Sequence, residues 1–377
     1  MSAKRITGKL EGRAEDPDEL AASTSKGLNR HVAAMLAQFA NSVYQPYSGE
    51  LSEYTYGDDL SGFVRNGVLK PEYKDFILMG NFRTVSGTRT RRATLFGLIC
   101  LKLSPLEQHL LQFASSVIGD GLKRQQTANT ASSNKMAENQ IRYALKLPLA
   151  YRRELVICFR GTTGTFLFSP DWQTDMDQHM TPTPFGEGKV HQGFLNAYMA
   201  CRMKIHEACT SLATLRKPSW LDARAVKLLA PIVGEGAARA AADRLARNTA
   251  VYVTGHSLGG ALATLATADL SATTHFNPVL YNFGSPRVGN KTFSKWWNRN
   301  IASSYCHVAK SHRAWRISRP LDPVTHVPVV SFKHVGNCWS LGTSFGQLFA
   351  KGLNTHSMDA YSDLVLYKGG LAPTMEG

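Results

Sequence analysis

A chain of 377 residues with 43% hydrophobic and 19% charged residues can bury a large core and is composed like an ordinary globular protein, which excludes disordered and fibrous classes. The 43 Lys and Arg against 28 Asp and Glu leave a formal charge of +15, which bears on what the surface attracts and not on the fold. Six scattered cysteines, Cys100, Cys158, Cys201, Cys209, Cys306 and Cys338, make no CxxC pair and no zinc spacing, so they read as mostly reduced, packed thiols and no metal site is expected.

The segment 1–28, which begins "MSAKRITGKLEGRAEDPDEL", mixes charge signs, lacks an apolar core and reads as a flexible extension rather than a secretory signal. With no apolar run of spanning length, the expectation is a soluble, cytoplasmic protein, with signal-independent secretion open. Residues 29–377 are read as a single domain. In "LNRHVAAMLAQFANSVYQ" the spacing of Val32, Leu36, Phe39 and Val43 predicts an amphipathic helix. "GNFRTVSGTRTRRATLFGLICLKL" reads as a basic hairpin or loop leading into a buried strand. A helical segment follows in "SPLEQHLLQFASSVIGDGL", and then "KRQQTANTASSNKMAENQ" reads as a surface loop or part of an exposed helix.

From "ELVICFRGTTG" onward the pattern changes. Apolar runs bounded by charge and glycine recur in "NTAVYVTGHS", "NPVLYNFGSP" and "HRAWRISRPLD", and helical patterns separate them. Strands alternating with helices predict an α/β fold, a mostly parallel central sheet flanked by helices on both faces, with its site at the carboxyl ends of the strands.

"GHSLG" fits GxSxG, a pattern that ordinary Gly and Ser usage produces in roughly one chain in five of this length, so its context must decide. A Val/Tyr/Val run ends at Gly255, and Leu258, Leu262 and Leu265 open a helix at once. So sharp a strand-to-helix turn strains its central residue and needs minimal neighbours two positions to either side, which Gly255 and Gly259 supply. Ser257 is then the candidate nucleophile, with the Leu258 N–H beside it at the helix start. The competing reading is a serine that merely caps the helix.

A serine hydroxyl needs a base, and the base needs an orienting acid. Between Ser257 and His356 the only acids are Asp269 and Asp322. Asp269 lies three turns up the helix, roughly 18 Å away, whereas Asp322 ends a predicted strand between Pro320 and Pro323. The histidines beyond it are His326, His334 and His356. His326 sits too close to the acid in a Pro-bounded segment, and His356 lies in a loop before a helix starting near Met358, so the residues favour His356 without excluding the other two.

At these positions the chain resembles the class 3 lipases, the fungal-lipase-like α/β hydrolases. The matching stretches run in order: "CFRGT" at Cys158, "VHQGFLNAY" at Val190, "VTGHSLGGALATL" at Val253, "NFGSPRVGN" at Asn282, "DPVTHVP" at Asp322, "KHVGNCW" at Lys333 and "HSMDAY" at His356. The resemblance implies an α/β-hydrolase fold with Ser257, Asp322 and His356 as catalytic residues. It implies Thr162, after the FRG glycine, and Leu258 as oxyanion-hole donors, and a lid at about 163–170 carrying Phe166, Leu167 and Phe168. Thr325 stands where the family usually has Pro, and Thr355 where it often has Asp. The segment of about 83–140 is longer than the family core requires and reads as an insertion, either a cap over the acyl site or an interaction surface.

The implied activity is hydrolysis of carboxylic esters, acylglycerols or other lipid esters, through an acyl-enzyme, with no cofactor. The apolar lid candidate and the net charge favour peripheral contact with a lipid interface. A soluble short-chain esterase, a phospholipase and a non-catalytic binding protein on the same fold are the alternatives. "RTRR" at Arg89 to Arg92 has no interleaved aromatics, so no nucleic-acid partner is expected.

Overall fold

The computed structural model describes residues 27–44, 76–86, 92–122, 128–162, 179–212, 220–342 and 355–368. Most of the N-terminal extension and all of the lid candidate lie outside these residues. Of the extension, Gly27 accepts a hydrogen bond from the His312 N–H and Leu28 packs on the core.

The described residues form helices and strands in the order α1 (Arg30–Ser42), β1 (Phe76–Ser86), β2 (Arg92–Lys102), α2 (Pro105–Leu122), α3 (Ala128–Ala144), β3 (Arg153–Phe159), α4 (Gln192–Leu212), α5 (Trp220–Val233), α6 (Glu235–Arg247), β4 (Thr249–His256), α7 (Leu258–Thr273), β5 (Val279–Phe283), α8 (Lys291–Trp297), β6 (Ala314–Ser318), β7 (Asn337–Ser340) and α9 (Met358–Lys368). These strands make one sheet in the order β1 to β7. From β3 to β7 every neighbouring pair is parallel, while β1 and β2 add an antiparallel ribbon at one edge. The α/β architecture is therefore the one the alternation predicts. Four short segments, Met180–Pro182, Lys189–His191, Gly289–Asn290 and Phe332–Lys333, form a small antiparallel sheet beside it.

Period-two alternation sorts each strand between two faces. Leu155, Ile157, Phe159, Val251, Val253 and Leu280 join one apolar cluster, covered by α7 and α4. Val156, Cys158, Ala250, Tyr252, Val279, Tyr281 and Phe283 join another, covered by α1 and α9. Helix α1 starts at Asn29, whose side chain accepts from the N–H groups of His31 and Val32. Its buried stripe includes Val32, Leu36 and Phe39, as the spacing predicts. Burying Leu36 and Phe39 fully contributes roughly 2–3 kcal/mol each.

The described residues of the segment of about 83–140 belong to the β1–β2 ribbon, α2 and α3. "KRQQTANTASSNKMAENQ" is thus mainly helical, since α3 docks with α2, α5 and α6 in a third apolar cluster that includes Leu106, Ile141, Leu229 and Leu245. Helix α2 is anchored at the amino end of β3, where Glu107 takes a forked ion pair from the buried Arg153 guanidinium. That is the end of the sheet away from Ser257, since Arg153 pairs with Thr249 at the start of β4. The α5–α6 pattern breaks at Gly234, whose φ of +84° ends one helix and begins the next. Trp297 lies in the core, and Trp296 packs on Gly186.

Candidate active site

Strand β4 runs straight into α7, and Ser257 at the junction has φ 59° and ψ −128°. A non-glycine residue holds such a backbone only when its surroundings enforce it. Both flanking glycines do so by contact. A Cβ on Gly255 would meet the Gly259 carbonyl at 2.4 Å, and one on Gly259 would meet the Phe159 carbonyl at 2.3 Å. Gly260 is needed as well, because a Cβ there would sit 2.8 Å from the Ser285 Cβ. The Ser257 side chain makes no capping bond to the first turn of α7, and its Oγ is buried without a hydrogen-bond partner among the described residues. The capping alternative therefore fails. Leu258, as first residue of α7, has no carbonyl four residues back within the helix to accept from its N–H.

The end of β6 supplies the acid. Asp322 is fully buried in the turn after this strand, and His356 Nδ1 lies 2.8 Å from each of its carboxylate oxygens. Tyr361 donates its hydroxyl to Oδ2 at 2.6 Å and the Val324 N–H donates to Oδ1 at 2.9 Å. Burial, and then the neighbouring Asp322, push the Tyr361 hydroxyl well above its ordinary pKa, so it stays a donor. Two threonines at the positions that depart from the family pattern fold the loops together: Thr325 Oγ1 donates to the Asp322 carbonyl and Thr355 Oγ1 to the Leu321 carbonyl. Arg319 adds a bond to the Thr355 carbonyl.

Gly284 joins serine to acid and base. It follows Phe283, whose carbonyl accepts from the Ser257 N–H, and a Cβ on it would come within 2.8 Å of Asp322 Oδ2 and 3.2 Å of His356 Cε1. On the other side Gly161 stands so close that its Cβ would be 2.9 Å from the Ser257 Cβ, which brings the half-buried Thr162 next to the serine. The structure thus brings together Ser257, Asp322, His356, Leu258 and the Gly161–Thr162 loop. The other candidate histidines are engaged elsewhere: His326 Nε2 meets the Pro320 carbonyl at 3.3 Å and His334 Nε2 the Thr325 carbonyl at 2.7 Å.

Three contributors escaped the sequence. Tyr361 lies within "HSMDAY", five residues past His356, yet nothing local marks it as a donor to the acid. His256, inside the elbow itself, stacks on His356 with ring centroids 4.5 Å apart, and burial, together with the nearby His356, holds its pKa well below the ordinary histidine value. Tyr44, from the far end of the chain, reaches His256 Nδ1 at 2.8 Å. The rejected Asp269 is fully engaged by Tyr198, Arg202 and His206. The six cysteines are unpaired, and burial pushes the Cys201 and Cys209 thiols up to about 12, where no thiolate nucleophile forms near neutral pH.

Residues 156–332 match the family model described as Lipase (class 3). A triacylglycerol lipase of Ricinus communis is 32% identical over 218 residues, 52% of this chain and 40% of that protein. A secreted mono- and diacylglycerol lipase of Fusarium solani is 29% identical, covering 48% of this chain and 41% of its own length. A chloroplastic phospholipase A(1) of Arabidopsis thaliana is 30% identical over 48% of this chain and 34% of its own. The chain thus spans about two fifths or less of these relatives. Among solved structures, a mono- and diacylglycerol lipase mutant from Penicillium cyclopium aligns with a TM-score of 0.45 at 19% identity, over 87% of this chain and 82% of that one. Lipase II from Rhizopus niveus aligns with a TM-score of 0.44 at 18% identity, over 81% and 78%.

Proposed function

We propose, on the footing that the chain belongs through residues 156–332 to the class 3 lipase family, that it is a serine hydrolase that cleaves lipid esters through an acyl-enzyme. The observation that carries this reading is the buried Asp322–His356 pair facing the strained elbow at Ser257. Ser257 attacks the ester carbonyl while His356, its Nδ1 held by Asp322, takes the hydroxyl proton on Nε2. The oxyanion is held by the main-chain N–H groups of Thr162 and Leu258, with the Thr162 hydroxyl beside them. His356 then protonates the departing alcohol and activates the water that frees the acid.

Lipid rather than small soluble ester is supported by the loops at the carboxyl end of the sheet. Leu321, Val329 and Val330 are 57%, 69% and 58% exposed there, one residue from Asp322 in the case of Leu321. Apolar side chains left in water beside a site suit a lipid surface. The β1–β2 ribbon continues past Phe159 at the same end: Gly97 pairs with Phe159, and Arg92 lies five residues, about 16 Å, beyond it. A basic ribbon in that position suits anionic headgroups. Acylglycerols and phospholipids are both taken by relatives of the chain.

The test is labelling by a fluorophosphonate and hydrolysis of p-nitrophenyl acyl esters by wild type and by Ser257→Ala. Labelling and turnover should disappear in the folded variant, and a wild type that does neither would make this a binding protein. A headgroup and chain-length profile then separates acylglycerol lipase, phospholipase and short-chain esterase. Faster turnover of dissolved short esters, without a rise once the substrate forms an interface, would favour the esterase.

A further inference from the structure

Helix α1 bonds to the strands that lead to Thr162 and to Ser257 and to the helix that follows His356. The Phe39 carbonyl accepts from Cys158 Sγ, two residues before Arg160 in the strand leading to Thr162, and the Leu36 carbonyl lies 3.5 Å from Thr254 Oγ1, three residues before Ser257. Gln38 and Asn41 bond to Ser362 and Asp359 on α9, the helix that follows His356. Two residues past the end of α1 comes Tyr44. The Gly161 N–H donates to its hydroxyl at 3.0 Å, and the same oxygen lies 2.8 Å from His256 Nδ1. A Cβ on Gly161 would fall 2.3 Å from that hydroxyl, so the loop rests directly against it.

We propose that Tyr44 is a positioning residue for ester hydrolysis: its hydroxyl fastens the Gly161 amide to the His256 ring and so fixes the Thr162 oxyanion donor against Ser257. A phenolic oxygen accepts and also donates one proton. Having accepted from Gly161, it has its proton left to donate to His256 Nδ1, and the clamp requires His256 to be the tautomer protonated on Nε2. Burial keeps both groups neutral, raising the Tyr44 pKa and lowering that of His256, where the neighbouring His356 adds to the effect. The His256 ring in turn stacks on His356. One hydroxyl thereby sets the distance between the oxyanion loop, the elbow and the base. A small displacement of a donor from a developing charge costs far more rate than binding, because the charge exists only in the transition state.

The inference rests on the hydrolase reading, and the experiment separates the two. Sites are counted by fluorophosphonate titration of wild type and Tyr44→Phe, and kinetics are taken per titrated site with a soluble p-nitrophenyl ester. In Y44F, kcat should fall roughly ten- to a hundredfold with KM within about twofold. Affinity for a trifluoromethyl ketone, which adds Ser257 to form an oxyanion, should fall by the same factor as kcat/KM. A merely structural tyrosine would lower the number of sites or the melting temperature and leave kcat per site unchanged, and that result overturns the proposal. Should Y44F not fold, nitrogen-15 NMR of the wild-type His256 ring decides: an unprotonated Nδ1 supports the clamp and a protonated Nδ1 overturns it. A wild type that neither labels nor turns over would remove the hydrolase reading, and the proposal with it.

Discussion

Asp322 and Asp269 are both fully buried, and each takes a tyrosine hydroxyl at 2.6 Å and a histidine nitrogen at 2.8 Å. They differ in whether a permanent cation is among their partners. Arg202 makes a forked pair with Asp269 at 2.7 and 3.0 Å, whereas among the described residues no Lys or Arg lies within ion-pair distance of Asp322. At Asp269 burial pushes the carboxyl pKa up, but the bonds from Arg202, Tyr198 and His206 outweigh it and hold the group below its ordinary range. Its charge is already answered. Asp322 is held instead by the Tyr361 hydroxyl, the Val324 N–H and His356 Nδ1. A permanent counter-ion makes a buried carboxylate a fastener, and its absence makes one an electrostatic partner for a transient cation.

Exchanging one atom in each carboxylate is the harshest way to break this contrast. Asp322→Asn should lower kcat by about 10⁴-fold, because the amide favours the wrong His356 tautomer and carries no charge, while thermal unfolding stays close to wild type. Asp269→Asn should do the reverse, costing about 3 kcal/mol of stability through an uncompensated Arg202 and leaving kcat of the folded enzyme within about twofold. Denaturant unfolding and initial rates on the same samples check both. The two tyrosines should part in the same way. Tyr361→Phe should reduce kcat about tenfold, and Tyr198→Phe should cost about 1–2 kcal/mol of stability with no change in kcat. Equal kinetic effects of the two would mean that the two carboxylates do not differ in role.

The smallest effect is on pH. Burial, then the charges of Arg316, Arg287 and His326, bring the His334 pKa down to about 3, and His256 is depressed likewise. Between the unfolded value near 6.5 and the folded one, the unfolded chain binds the proton that the native state refuses, so stability falls as pH drops through that window. Below about 3.8 the loss continues as Asp269 protonates, since its folded pKa is depressed and its contribution exists only above that range. His334→Gln, which can keep the bond to the Thr325 carbonyl, should flatten the decline between about pH 6.5 and 3 in unfolding curves.

How much of this was legible in the chain follows from how local each constraint is. The elbow was readable because Gly255 and Gly259 answer a steric demand two residues away, and Asp322 because it had one competitor that helix geometry removed. The strands β3 to β6 announced themselves by apolar runs, since both faces of a parallel sheet are covered. Helix α3 was ambiguous because its docking face is paid for by α2, α5 and α6, which its own polar sequence does not reveal. Tyr361 and Tyr44 were invisible for a plainer reason: their partners lie 39 and 212 residues away, and no periodicity encodes that approach.

The backbone of Ser257 carries one more consequence. A φ of 59° with ψ of −128° suits glycine and costs a serine on the order of 1–3 kcal/mol. Ser257→Gly should therefore yield a dead protein that outlasts the living one, melting higher than wild type. The elbow thus holds its serine at a cost in stability that a glycine in the same place would not carry.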